Sequence, residues 1–338
     1  MDYSAIANTA AAEAPQVRKV VKGRVLQDDT DFHCYAAAAN IDASPAENFK
    51  SLLRIIEDKR ILAGAEYVNC HLTLGLKSGR SQIATVLPYQ ENRSNHDPAI
   101  GKRVKLLRNM LAGHRTKILT PIVNLYKEAD DSLTEYQLKQ IAEHGYNSSI
   151  IGSGDKDLWM VHGLHSNQKT GEIWKGDGYG KTEYKEVGNV KPKLIGKGKS
   201  WFFHQLVMGD KADNIPGLPA LSGRLMNRYL PTKIKNPNRK SATCGEAKAV
   251  AMLKDVTTEA EAFTRVFEAY QDHYGSVGIA TERFLEQAYL LWMQRDSKLL
   301  DVQTYFNELG FDVKFSNKQK AQLKQYVELC REQAKLNG

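Results

Sequence analysis

Cysteine is scarce in this chain: its 338 residues hold four, Cys34, Cys70, Cys244 and Cys330, and no two form a CxxC pair. That excludes a zinc ribbon and a disulfide framework, and suits thiols kept in a reducing compartment. Long apolar runs are absent, since no window approaches the roughly 18 apolar residues of a membrane span. The opening MDYSAIANTAAAEAPQ carries acidic residues and no apolar centre, which is unlike a secretory signal. A cytoplasmic protein that enters no membrane is expected. Negative charge is in deficit, with 47 Lys and Arg against 39 Asp and Glu, a formal net charge of +8 and a pI near 9.1. Such a surplus favours a polyanionic partner, nucleic acid above all. The 42% apolar and 25% charged content fits a folded soluble chain with one large core or two smaller ones.

The residues that are present suggest an α/β half followed by a helical half. After an Ala-rich leader over 1–23, Arg24 to Gln27 reads as a strand and Asp31 to Ala39 as a helix. Ser44-Pro45-Ala-Glu47 combines a capping box with proline at the first helical position and opens the periodic run Phe49, Leu52, Leu53, Ile56. Further strands are expected over Glu66–Leu72, Ile122–Leu125 and Ser148–Gly152, with helices over Val104–Leu111 and Asp131–Ala142 between them. Strands alternating with helices imply a mostly parallel central sheet flanked by helices. The Gly- and Lys-rich stretch from Ile173 to Ser200 and the segment KIKNPNRKSATC read as loops or insertions. From Gly245 onward the pattern is helical, over Glu246–Lys254, Glu259–Tyr270, Glu282–Met293 and Lys318–Ala334. No internal repeat is evident.

Acids fall after the three clearest strands: Asp29, then Glu128 with Asp130 and Asp131, then Asp155 with Asp157. In a parallel sheet the carboxyl ends of the strands open on one edge, so these six would share one crevice. Any one of them could simply cap the following helix. Capping does not require the EADD doublet, the DKD pair and a DxxD to coincide with successive strand ends. Asp210 and Asp213, in GDKADNIPG after the apolar run Trp201 to Met208, complete the set. Their i, i+3 spacing places both on one side of a helical turn, where they repel unless a cation intervenes. Hard oxygen donors without Cys or paired His select Mg²⁺ or Mn²⁺. On a basic protein, such a crevice suits two ions about 4 Å apart that activate a water against a phosphodiester.

Five ordered motifs then resemble one family, the bacteriophage 5′–3′ exonucleases, similar to flap endonucleases and to the 5′-nuclease part of bacterial DNA polymerase I. They are QDDTD at Gln27–Asp31, YQENR at Tyr89–Arg93, EADD at Glu128–Asp131, GSGDKD at Gly152–Asp157 and GDKADNIPGLP at Gly209–Pro219. The resemblance spans roughly Val25 to Asp255. It implies Asp29, Glu128, Asp130, Asp131, Asp155, Asp157, Asp210 and Asp213 as ligands of two divalent ions, with Asp210 and Asp213 on the second. It implies that Arg93 faces the scissile phosphate and that Tyr89 stacks on a base, unless Tyr89 is a core-packing tyrosine. It puts Lys102, Arg103 and Arg108 in a helical arch near 90–120, unless they form only a solvated helix face. It makes Gly217 and, after an interruption of about two dozen residues, Gly245 the two parts of a helix–hairpin–helix that grips DNA through main-chain amides, with room for a monovalent cation. The implied domains are an α/β nuclease core over 24–208, a helical DNA-binding region over 209–295 and a helical extension over 296–338. The implied partners are DNA with 5′ ends or flaps, an RNA–DNA hybrid and replication proteins, met by a monomer.

Two departures stand out. The family's second strand ends in another Asp, where this chain has Leu74 or a neighbour; Asp28 or His71 could substitute, or the ligand is missing. Gln90 stands where relatives carry a Lys. These departures motivate a rival reading, a DNA-structure-binding protein that keeps the fold with weakened chemistry, which would not require the eight carboxylates. Gly196-Lys-Gly-Lys-Ser200 lacks the first glycine of a phosphate-binding loop, and His162 with His165 lacks further metal ligands.

Overall fold

The computed structural model describes residues 18–75, 79–91, 97–125, 127–187, 190–230, 241–296 and 300–337. They fall into two compact units, the first made of the described residues in 1–75, 96–155 and 163–175, the second of those in 76–95, 156–162 and 176–338. The units therefore do not divide at 208 as the motifs suggested, because the chain leaves the first unit at Asp155 and returns to it at Gly163.

The first unit is built on a six-stranded sheet. Its strands are β1 (Val21–Asp29), β2 (Ala65–Thr73), β3 (Leu119–Asn124), β4 (Ser149–Gly152), β5 (Leu164–Ser166) and β6 (Ile173–Lys175). They lie in the order β3-β2-β1-β4-β5-β6, parallel except for β6. Helices α1 (Thr30–Ala38), α2 (Pro45–Leu62), α3 (Pro98–Ala112) and α4 (Ala129–His144) connect them. The capping box is present, Ser44 accepting from the Glu47 amide while Glu47 accepts from the Ser44 amide. Apolar side chains at helical spacing, Leu52 and Ile56 on α2 and Val104, Leu107 and Leu111 on α3, bury against Leu26, Val68, Leu72 and Ile150 of the strands. The segment expected to stand as an arch thus includes a helix that covers the core; 92–96 lie outside the described residues.

One polar network is buried across this sheet. His71 Nε2 lies 3.0 Å from Gln27 Oε1 and its Nδ1 2.9 Å from Ser132 Oγ. An amide oxygen only accepts, so Nε2 carries the proton and Nδ1 accepts from the hydroxyl. Gln27 Oε1 also accepts from Asn69, and Gln27 Nε2 donates to Ser149. Burial pushes the His71 pKa down to about 3, against the opposing pull of Asp28. A histidine held neutral in the folded state and free to protonate near pH 6.5 when unfolded stabilises the fold above that pH. The contribution is lost as pH falls from about 6.5 towards 3. Unfolding free energy from urea titrations should fall by roughly 1.4 kcal/mol per pH unit from this residue between pH 6 and 4. His71→Gln should make that slope shallower, and an unchanged slope would remove the assignment.

The second unit is mainly helical. A turn at Arg80–Ile83 precedes an antiparallel hairpin of β7 (Lys181–Val187) and β8 (Val190–Lys197), then α5 (Lys199–Met208), β9 (Ala220–Ser222), α6 (Gly223–Tyr229) and β10 (Ser241–Thr243). Helices α7 (Glu246–Leu253), α8 (Glu259–Tyr274), α9 (Val277–Leu291), α10 (Asp301–Glu308) and α11 (Asn317–Asn337) complete it. Nearly every side chain of α5 is buried, and Phe202 meets Trp292 and Phe306 in an aromatic core joined by Phe263 and Phe284. The Ile173–Ser200 stretch is therefore not a loop. Thr182 and Gly196 lie on one face of the hairpin, Thr182 meeting the Ser200 hydroxyl, and a Cβ at Gly196 would fall 2.7 Å from the Trp201 ring. With so few large apolar residues on that face, the period of two is hidden among Lys and Gly. Among the described residues no helix is long and apolar enough to cross a membrane.

Candidate functional site

In the first unit the acids stand at the carboxyl edge of the sheet. Asp29 is the last residue of β1, Glu128 precedes α4, Asp130 and Asp131 lie in its first turn, and Asp155 follows β4 by three residues. Neither Asp29 nor Glu128 caps its helix through the side chain, so the capping alternative fails for both. Asp29 Oδ2 accepts from Ser153 Oγ at 2.8 Å, and the same hydroxyl accepts from the Asp155 amide at 3.0 Å. Burial, and then the charge of Asp31 followed by those of Asp155 and Asp28, raises the Asp29 carboxyl to about 7 although the Ser153 bond opposes this. Carboxylates thus crowd Asp29, a condition that a hard cation relieves.

The two substitutes considered for the absent second-strand acid are committed elsewhere. Asp28 is fully buried, accepting from Thr30 Oγ1 at 2.6 Å and from Gln168 Nε2 at 3.2 Å, with His33 Nε2 at 3.2 Å. His71 has both ring nitrogens occupied, as described above. Beyond β2 the Leu74 amide donates to Asn124 O, and a Cβ at Gly75 would meet Leu125 O at 1.2 Å, so the strand end is closed by backbone. The carboxylate that reaches the end of β2 is Asp31, which accepts from the Thr73 amide through both oxygens at 3.2 and 3.1 Å and pairs with Arg108 Nε at 2.9 Å. Asp31 was visible as the last letter of QDDTD, but nothing local marks a helix residue as reaching the next strand. Among the described residues, no group of three or more His, Cys, Asp or Glu side chains is placed as it stands to hold a metal ion. The donors gathered at this edge are carboxylate oxygens, the kind of donor a hard divalent cation takes.

The second unit carries Asp157, Asp210 and Asp213. Asp157 opens a short 3₁₀ turn and accepts from Gln205 Nε2 at 2.6 Å; the same amide lies 3.3 Å from Asp210 Oδ2. Asp210 Oδ1 accepts from the Ala212 amide, and Lys156 Nζ lies 2.5 Å from Asp210 Oδ2. The expected helical turn is a correction: α5 ends at Met208, and Asp210 and Ile215 exchange both backbone hydrogen bonds to close a tight loop. Gly209 makes this possible with φ +72°, where a Cβ would strike Ile215 O at 2.2 Å. Two left-handed residues lace the loop to the YQENR turn. The Gln90 amide donates to Asp213 O at 2.9 Å, and Asn214 Nδ2 donates to Pro88 O at 2.9 Å. Tyr89 lies in this turn; Arg93 falls outside the described residues.

The interruption between Gly217 and Gly245 has a structural account. β9 and β10 pair antiparallel from Ala220↔Thr243 to Ser222↔Ser241, and the Cys244 amide donates to Pro219 O at 3.1 Å. The insertion is pinched at its base, so Pro219 and Cys244 become neighbours and α7 follows directly. Gly217, at φ +66°, is needed because a Cβ would meet Gly209 N at 2.4 Å, and its amide is given to Gln287 Oε1 at 3.0 Å. That amide does not face outward for DNA. Gly245 precedes α7 with open space where a Cβ would stand.

Of the three basic residues on α3 expected to meet DNA, Lys102 is exposed. Arg103 donates to Ala43 O at 2.6 Å and Asn48 Oδ1 at 2.7 Å, and Arg108 is held by Asp31 and the Tyr35 ring. The latter two tie α3 to α1 and to the segment around α2, a role that charge counting did not reveal. The lesser motifs stay structural: His165 stacks on Trp174, His162 pairs with Asp177, and the Gly198 and Ser200 amides are spent on Trp159 O and Tyr179 O.

No family model matches the chain. A stretch of 169 residues is 29% identical to DNA polymerase I of Geobacillus stearothermophilus, covering 49% of this chain but only 18% of that protein. Among solved structures, the chain is similar to T5 5′-exonuclease with bound zinc at a TM-score of 0.50 and 13% identity, over 93% of this chain and all of that one. The T5 D15 protein crystallised with metal ions aligns at a TM-score of 0.52 and 14% identity, over 91% and 99%. The chain has the fold of the T5 5′-exonuclease.

Proposed function

We propose that this chain is a divalent-metal-dependent 5′ nuclease that hydrolyses phosphodiester bonds in DNA. The observation that carries the reading is the Asp29 cluster: a carboxyl raised to about 7 by burial and by Asp31 and Asp155, at the edge of a parallel sheet in this fold. Asp29, Asp155, Glu128 and Asp130 would hold a divalent ion, with Asp131 behind them. Bound there, Mg²⁺ or Mn²⁺ supplies Lewis-acid activation of water and neutralises charge on the scissile phosphate. The chain's own groups orient that site. Ser153 fixes Asp29, the Thr73 amide and Arg108 fix Asp31, and Thr73 Oγ1 accepts from the Ala129 amide so that α4 starts beside β2. Asp157, Asp210 and Asp213 form a second acidic set for a second ion. Arg93 would add positive charge at the phosphate and Tyr89 a stacking surface, while Lys102 and the amide end of α7 at Gly245 would hold the DNA backbone. A 5′ end or flap is the favoured substrate, an RNA–DNA hybrid a further one, and phage DNA replication or recombination the setting.

Duplex, flap and RNA–DNA hybrid substrates labelled at the 5′ or the 3′ end test this with Mg²⁺, Mn²⁺ and chelator. Cleavage should start from 5′ ends or flap junctions and stop with chelator. Activity that survives chelation would end the metal-dependent reading, and binding without cleavage under every condition would favour the DNA-structure-binding alternative.

A further inference from the structure

The two acidic sets differ in how their charge is balanced. At Asp29 the neighbours are chiefly other carboxylates, whereas Asp210, 3% exposed, already has a cation: the Lys156 ammonium at 2.5 Å. Gln205 directs one amide nitrogen to Asp157 and Asp210 together. The Lys156 ammonium also lies over the Trp201 ring, 5.8 Å from its centre. The lysine comes from the middle of the DKD motif, so the same three residues that deliver Asp155 and Asp157 also deliver this counter-charge.

We propose, on the nuclease reading above, that Lys156 is a built-in cation that competes with a divalent ion for the Asp157–Asp210 pair. The Lys156 ammonium sits on Asp210 Oδ2, the oxygen turned towards the Gln205 amide that also meets Asp157, so a divalent ion taken up by the pair would meet the ammonium at that oxygen. Ion binding here therefore requires the Lys156 ammonium to leave Asp210. With 36% of its side chain exposed, the lysine has solvent to move into. The second set accordingly binds a divalent ion weakly, and the two sites fill in sequence, the Asp29 set first. Once displaced, the ammonium is a mobile positive charge on the segment that carries both Asp155 and Asp157.

Calorimetric titration of the full chain with Mn²⁺, without DNA, tests this in four proteins: the parent, Lys156→Met, Lys156→Arg and Lys156→Met/Asp210→Asn. The parent should show one tight step and a weak second one. Lys156→Met should strengthen the second step on the order of tenfold, the scale of one charge-assisted hydrogen bond removed from competition. Lys156→Arg should keep the parental pattern, and the double variant should lose the strengthened step. Melting adds a readout that a merely structural lysine would not give: Lys156→Met should be less stable than the parent in chelator and recover in millimolar Mn²⁺. Two equal tight steps in the parent, an unchanged second step in Lys156→Met, or a strengthened step that survives Asp210→Asn would each overturn the proposal. Ion binding as described in a chain that cleaves no substrate would instead count against the nuclease reading alone.

Discussion

Asp29→Asn should lower the single-turnover cleavage rate on the order of 10³-fold, and in chelator at pH 8 the same protein should be more stable than the parent. The first effect follows from losing a charged ligand where a bound ion is worth several kcal/mol to the transition state. The second follows from the raised Asp29 carboxyl. A group whose folded pKa is about 7 and whose ordinary value is 3.8 destabilises the fold increasingly as pH rises between those values, then by a constant amount. The full shift would correspond to about 4 kcal/mol, and because Asp29 is only half-buried, roughly 1–2 kcal/mol of it should be recovered by the neutral amide. A structural aspartate would give the opposite sign. Asp155→Asn and Asp130→Asn should also stop cleavage while leaving DNA binding equal or tighter, since each removes negative charge facing phosphate. Quench-flow cleavage, filter binding and melting in chelator read the three effects separately. Cleavage by Asp29→Asn at the parental rate would show that the Asp29 edge is not the centre.

The carboxylates were legible because each lies next to a strand whose apolar residues announce it. Position along the chain was enough to put Asp29, Glu128, Asp130 and Asp155 on one edge once the sheet was parallel. The helical half was legible for the same reason, through periodic runs such as Phe263 and Val266 on α8. What stayed hidden depends on pairing between distant residues. Lys156 and Asp210 are 54 positions apart, Arg108 and Asp31 are 77, and no local pattern joins either pair. The basic helix therefore read as a DNA surface, although Arg103 and Arg108 are spent inside the first unit. The three-residue β9–β10 ladder is too short to show a period, yet it brings Pro219 and Cys244 together across the insertion.

This redistribution of the basic residues sharpens what should be seen at Arg93. Arg103→Ala and Arg108→Ala should now act on stability, Arg108 because its loss leaves Asp31 without its counter-charge beside an already crowded Asp29. Lys102→Ala, at an exposed position, should weaken DNA binding evenly across sequences and reduce the log–log salt slope by about one. Arg93→Ala should do something else. It lies three positions along the sequence beyond Gln90, whose amide is bonded to Asp213 O. The neighbouring Gln90 is uncharged, and no adjacent lysine can replace the guanidinium. Acting on charge that develops as the phosphodiester breaks, Arg93 should be worth on the order of 10²-fold in the single-turnover rate at saturating enzyme, the scale of one preorganised donor. Its effect on binding should be no larger than that of Lys102. If Arg93→Ala, once bound, cleaves at the parental rate, then Arg93 is another backbone contact, and the positive charge at the scissile phosphate must come from elsewhere, with the Lys156 ammonium released from Asp210 the next group to test.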